Sequence, residues 1–349
     1  MGEMSDGRPG GRVSRRSALG MLGLGTAAMA AGTQAACAQD GQPFRIVIAF
    51  PPGGTSTASL TPLKEPLGAA LGGPLEFEYK PGAGGNVAAL YVIQSPPDGH
   101  TLLFGHAGPL AINHHLLVQT VFDAHRDLRP LAMIVQYPIV ICVAAKYQVT
   151  TLKEFIDLAR RNQLVVGSSG NGSIQHLAYE TFSRAHELKM IHIPFAGGGP
   201  LQQAFERGAL DVLFETGSNI VNHVRAGTLR ALAVMGRERL SILPDVPTAA
   251  EAGLADLYVS AWFGLLAPVR TPDDVAARIT DSTIRALAQP EVRNALNAIG
   301  GIPAAMGAQE FRRFIAVENE RWGRIIRDPG PRSEQQPGGG ASRSLGTPQ

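Results

Sequence analysis

Cysteine is almost absent: the 349-residue chain has two, Cys37 and Cys142. Cys37 falls within the first 38 residues, so Cys142 alone remains beyond them. One thiol supports neither a disulfide framework nor a cysteine-based metal site. Cys142 lies in the apolar run 139–145 and reads as a small buried hydrophobe rather than a reactive group. Charge is scarce as well, at 17% of residues, with 31 Lys and Arg against 29 Asp and Glu. The first 38 residues carry Arg8, Arg12, Arg15 and Arg16 against Glu3 and Asp6, so the remainder is formally neutral. That balance argues against nucleic acid or a polybasic membrane contact.

Catalytic signatures are missing too. No loop has the GxxxxGK[ST] phosphate pattern. Gly167-Ser168-Ser169-Gly170-Asn171 has Asn where a nucleophile elbow needs Gly. His114 and His115 are adjacent, so on a helix they cannot share a face as zinc ligands. No carboxylate pair at loop ends names a reaction. The expectation is a protein without catalysis, cofactor or metal.

What is present begins at the N-terminus. The pair Arg15-Arg16, an apolar run over 18–31 and Ala36-Cys37-Ala38 are the three parts of an export signal. The paired arginines point to the twin-arginine route, with Gln39 as the first mature residue. The run is too short and glycine-rich for a spanning helix. Gln34 stands where a lipid-attachment signal at Cys37 needs an apolar residue. A periplasmic location follows. Residues 328–349, rich in Gly, Pro, Ser, Gln and Arg, read as a disordered tail.

Between these ends, short β-branched runs alternate with amphipathic segments. Strands are expected at 45–50, 76–80, 101–105, 139–145, 164–167, 190–194, 211–214, 229–235 and 260–267. Helices are expected at 152–162, 174–186, 201–207, 221–226, 272–288, 291–299 and 308–326. This alternation predicts an α/β architecture with largely parallel sheets. The apolar strands 139–145 and 260–267 bracket a self-contained block, which suggests two lobes joined by two crossing segments. The domains are then a signal peptide (1–38), lobe 1 (39–141 with 263–327), lobe 2 (142–262) and the tail.

Four glycine-rich turns follow strands: 51–57, 81–86, 168–173 and 195–200. Strand C-termini in open α/β sheets are where ligands bind. Glycines let the backbone approach a ligand, and helix N-termini offer unsatisfied N–H groups to an anion. Together the turns suggest a clamp for a small anion.

Several motifs, in this order, resemble the Bug-type extracytoplasmic solute receptors of tripartite tricarboxylate transporters. They are FPPGG at 50–54, KPGAGGNVAA at 80–89, PPDGHTLLFG at 96–105, VGSSGNGSIQHLAYETF at 166–182, LPDVPTAAEAG at 243–253 and WFGLLAP at 262–268. The resemblance covers about 44–327 and implies a two-lobed, Venus-flytrap (type II) periplasmic-binding-protein fold, each lobe a mostly parallel sheet flanked by helices. It also implies capture of an organic carboxylate by loop amides and delivery to inner-membrane transporter subunits by a monomer. Gly53, Gly54, Thr55 and Thr57 of one lobe, and Ser169, Gly170, Asn171, Gly172, Ser173 and His176 of the other, are the expected ligand-binding residues. His106, Ala107, Gly197 and Glu215 are further candidates.

This chain departs from the family pattern at several of these positions. Thr57 stands in place of an Asp and Leu60 in place of an Arg. His106 replaces a small hydroxyl residue, Glu215 an Asp, and Phe195-Ala196 a Tyr-Lys pair. Pro62 and Pro66 fall where the first helix belongs, so that helix is expected to start late, with Thr61 as cap and its anion site displaced. His106 has two readings: a ligand contact that makes binding pH-dependent, or a cleft histidine hydrogen-bonded to the backbone. Two other roles fit the same residues: ligand sensing beside a membrane signalling kinase, and an exported hydrolase using Ser169 with His176.

Overall fold

The computed structural model describes residues 41–116, 122–195, 197–254 and 257–327. The expected signal peptide and tail lie outside the described residues.

Ten strands alternate with helices. The strands are β1 (Phe44–Ile48), β2 (Leu75–Tyr79), β3 (Thr101–His106), β4 (Leu128–Ala144), β5 (Val165–Ser168), β6 (Ile191–Pro194), β7 (Val212–Thr216), β8 (Leu229–Val234), β9 (Ser260–Pro268) and β10 (Ile302–Met306). The helices are α1 (Thr55–Leu60), α2 (Lys64–Leu71), α3 (Asn86–Ile93), α4 (Asn113–Leu116), α5 (Ala124–Asp127), α6 (Leu152–Arg161), α7 (Ile174–Ala185), α8 (Gly198–Glu206), α9 (Gly217–Arg225), α10 (Asp273–Ala288), α11 (Pro290–Ala298) and α12 (Ala308–Arg327). A π-helical turn spans Gly108–Ile112 between β3 and α4.

The sheet runs β2-β1-β3-β9-β4-β7-β5-β6, with β10 and β8 also pairing β4. Parallel pairing holds toward both ends, β1 with β2 and β3, and β5 with β6 and β7. Every pairing of β4 and β9 is antiparallel, so the sheet is mixed at its centre. β4 is 17 residues long, more than twice the run expected at 139–145. Its first half pairs β9 and β10, and its second half pairs β7 and β8. Pro130 and Pro138 hide the first half in the sequence, because proline cannot donate to a ladder. The register of β4 against β9 shifts next to Pro130, the kind of irregularity that accommodates it. Cys142 is fully buried in this strand and burial pushes its thiol well up, as befits an inert hydrophobe.

That register positions the candidate loops. His106, at the end of β3, pairs Phe263 on β9, which pairs Val135 on β4. Thr216 and Glu215, at the end of β7, pair Ile139 and Val140. The C-terminal ends of β3 and β7 therefore converge on the middle of one strand, residues 135–140 of β4, roughly 15 Å long at the usual rise per residue. β1 lies beside β3 and β5 beside β7, so their loops reach the same region.

The first helix corrects one expectation. It starts at Thr55, directly after Gly54, and not at Pro62. The chain then tightens into a 3₁₀ turn, Thr61–Leu63, before α2. Pro66 is the third residue of α2, where an N–H lacks an intrahelical partner in any case. Thr61 Oγ1 donates to the Thr57 carbonyl (2.9 Å) as the chain enters the turn. The two prolines thus shorten α1 and leave its N-terminus in place.

Candidate functional site

The loop after β1 is held by side chains from its own lobe. The Gly53 N–H donates to Thr57 Oγ1 (3.3 Å), and that hydroxyl donates to Tyr79 Oη (3.3 Å). Tyr79 is in register with Ile48, so β2 delivers its phenol to the base of the loop. Gly53 has φ +90, a left-handed conformation suited to glycine. The amides of Gly54, Thr55 and Ser56 find no partner among the described residues. Ser56 Oγ is buried and unpartnered.

His106 and Ala107 close β3. His106 Nδ1 accepts from the Gly108 N–H (3.1 Å), so Nε2 carries the proton. Nε2 is buried without a partner, and a Cβ built on Gly85 would sit 2.5 Å from it. The ring face lies 4.7 Å from the exposed Phe50 ring. Burial drives the pKa of His106 down to about 4, so the ring is neutral in the usual range. Its polar edge faces Gly85 and Gly108, and the pH-dependent ligand contact expected from the sequence does not arise from it near neutrality. Ala107 is buried.

The loop after β5 gathers Ser169, Gly170, Asn171, Gly172 and Ser173. Gly170 and Gly172 have φ of +131 and +77. Ser173 caps α7, its Oγ accepting from the His176 N–H (3.3 Å). Ser169 Oγ donates to Gln175 Oε1 (2.9 Å), and Gln175 Nε2 donates to Glu215 Oε1 and Oε2 (3.1 and 3.3 Å). Glu215 is fully buried, and its Oε1 also accepts from the Thr216 N–H (2.7 Å). Burial raises its pKa, while hydrogen bonds from Thr216, Gln175 and Asn219 oppose that rise. Glu215 thus reaches Ser169 through Gln175. Glu215→Leu is expected to cost about 2–4 kcal/mol, because the Thr216 amide and Gln175 lose their buried acceptor. An unchanged urea midpoint would contradict this arrangement.

The Ser169–His176 pair of a hydrolase is not assembled. Ser169 donates to Gln175, while His176 Nδ1 accepts from the Gly172 N–H (3.1 Å) and its Nε2 faces Glu180 (3.7 Å). Gly197 precedes α8 with φ +102. The third loop approaches the second: a Cβ on Gly170 would lie 3.4 Å from the Phe195 carbonyl oxygen. α4 spans between loops: Asn113 Nδ2 donates to the Gly84 carbonyl (3.1 Å), and Leu116 packs on Gly172.

Sequence reasoning missed Tyr79, Gln175 and His192. Tyr79 ends a strand beside β1, a signal that pairing order would have revealed. Gln175 and His192 carry no local signature.

Two unlike loops, each rich in glycine and backbone N–H groups, thus follow strands that flank the centre of a mixed α/β sheet, in the fold of a periplasmic binding protein. Solved structures agree. The chain is similar to MatC (Rpa3494) from Rhodopseudomonas palustris with bound malate, at 30% identity and TM-score 0.70 over 81% of this chain and 99% of that one. It is similar to R. palustris Rpa4515 with adipate, at 26% identity and TM-score 0.74 over 82% and 96%. Among curated proteins, BugT of Bordetella pertussis is 30% identical over 292 residues, 83% of this chain and 90% of that one. The family model described as "Tripartite tricarboxylate transporter family receptor" matches residues 62–330, and the chain belongs to that family. Among the described residues, no helix is long and apolar enough to cross a membrane.

Proposed function

We propose that this receptor captures a small organic carboxylate between two lobes and delivers it to the membrane subunits of a tripartite transporter. The observation that carries the reading is the convergence of the 53–57 and 168–173 loops on residues 135–140 of β4. Unpartnered amides of Gly54, Thr55 and Ser56 in one loop, and of Ser169 and Asn171 in the other, suit the two oxygens of a carboxylate. The malate and adipate held by its relatives are the natural first probes.

The lobes are 39–141 with 263–327, and 142–262. β4 and β9 are the crossing segments, and bending there closes the lobes on the ligand. The chain acts as a monomer, without catalysis, outside the cytoplasm. The twin-arginine signal in residues 1–38 directs its export.

A thermal-shift series against mono-, di- and tricarboxylates, aromatic acids and amino acids tests the reading. A ligand at a hundredfold over its Kd adds about 2.7 kcal/mol of stability. A saturable rise in Tm with one carboxylate class is the expected result. A rise with amino acids alone, or with nothing, counts against it.

A further inference from the structure

The 168–173 loop does not offer all of its amides. The Gly170 N–H donates to Ser168 Oγ (3.3 Å), and the Gly172 N–H donates to His176 Nδ1 (3.1 Å). Ser168 Oγ lies 2.7 Å from His192 Nε2 on β6. The rings of His176 and His192 stack, with centroids 4.4 Å apart and planes within 16°. Two histidines from different elements, α7 and β6, therefore back the loop as one aromatic block. The glycines between them, with φ of +131 and +77, turn successive amides to different sides. The amides of Ser169 and Asn171 find no partner among the described residues.

We propose that His176 and His192 are positioning residues: they hold the Gly170 and Gly172 amides inward, and so turn the Ser169 and Asn171 amides outward as the pair that receives the ligand carboxylate. The identity of that ligand rests on the receptor reading above; the histidine brace is a property of the unliganded chain. The groups facing the brace are Glu180 and Arg184 on α7 and the two histidines themselves. Glu180 Oε1 is 3.7 Å from His176 Nε2, and Arg184 Nη2 is 3.4 Å from Glu180 Oε2. Accepting from Gly172 requires an unprotonated Nδ1, so His176 must be the neutral Nε2–H tautomer; the imidazolium has no acceptor.

Amide hydrogen exchange in the ¹⁵N-labelled full chain, expressed as protection factors, tests this. Without ligand, Gly170 and Gly172 are expected to be protected and Ser169 and Asn171 open, with His176 as the Nε2–H tautomer. His176→Ala lowers protection at Gly172 by about fivefold to tenfold, the size of one neutral hydrogen bond. His176→Asn, whose side-chain oxygen accepts without titrating, restores it. Saturating malate or adipate then protects Ser169 and Asn171. Unaltered Gly172 protection in His176→Ala, or an Nδ1–H tautomer, overturns the brace. Ligand protection at Gly170 and Gly172 in place of Ser169 and Asn171 overturns the assignment of the receiving pair. A brace that behaves as described while neither these probes nor any acid of the thermal-shift series alters a loop amide removes the receptor reading alone.

Discussion

Gly170→Val is expected to abolish carboxylate binding, with a loss of at least about hundredfold, or about 2.7 kcal/mol. The reason is conformational. Gly170 has φ +131, where a β-branched residue is strained by about 1–3 kcal/mol. Its Cβ would meet the Phe195 carbonyl at 3.4 Å, an ordinary contact, so the strain lies in the backbone and its relief requires the loop to move. Moving the loop breaks the bonds of Gly170 to Ser168 and of Ser173 to Gly170, and displaces the neighbouring amides. Gly208→Val is the matched control: its φ of +75 imposes comparable strain after α8, with nothing within 4 Å of the new Cβ. Both variants lower Tm, but only Gly170→Val loses the ligand-induced rise. Equal ligand responses in the two would show that the 168–173 loop does not hold the ligand.

Acid is expected to destabilise this protein between pH 6.5 and about 4. His106 and His192 are both held down to about 4, chiefly by burial, with His176 adding to the effect on His192. The sign follows from which state takes up protons. Below pH 6.5 the unfolded chain protonates both rings, while the folded chain keeps them neutral until about pH 4. The unfolded state therefore gains, and stability falls through that window and levels off beneath it. For His106 alone the cost reaches up to about 3 kcal/mol. Glu215, whose pKa is raised, acts oppositely, weakening the fold as pH climbs past 4.5. Comparison with His106→Phe isolates the histidine contribution. That ring keeps the tilted contact with Phe50 and has no charge to acquire, although the Gly108 amide loses its acceptor. The urea midpoint of the variant is expected to fall less steeply from pH 7 to pH 4 than that of the wild type. Parallel profiles would mean that His106 titrates normally in the folded state.

The parts legible in the sequence were those whose signal is local. β1, β3 and β9 announced themselves as short apolar runs ending at glycine or proline. The candidate loops were visible because glycines and hydroxyls cluster just after such runs. The first half of β4 was hidden because Pro130 and Pro138 interrupt an otherwise apolar stretch. β10 was hidden for a related reason: it contains Pro303 and is half-buried throughout, with Ala305 at φ +46. The start of α1 was misjudged because prolines were weighed against the helix they interrupt; the chain accommodates them with a 3₁₀ turn and a fresh start at Lys64.

The supporting residues of the site depend on register, which one sequence does not display. His192 serves the loop because β6 lies parallel to β5, pairing His192 with Val166 and Pro194 with Ser168. Gln175 serves Ser169 because Glu215 sits beneath it on β7, a residue 40 positions away. Tyr79 steadies Thr57 because β2 pairs β1 in the register Ile48 to Tyr79. Thr57, where the family pattern has Asp, therefore acts first as a brace for its own loop.

The central claim is that the loop after β1 and the loop after β5 together hold one carboxylate ligand. A crystal structure with the acid that gives the largest thermal shift tests it most directly. The expected result is ligand density within hydrogen-bond reach of both the Gly54–Ser56 amides and the Ser169 and Asn171 amides, with both loops closed around it. Density against only one of the two loops, or against neither, would contradict it.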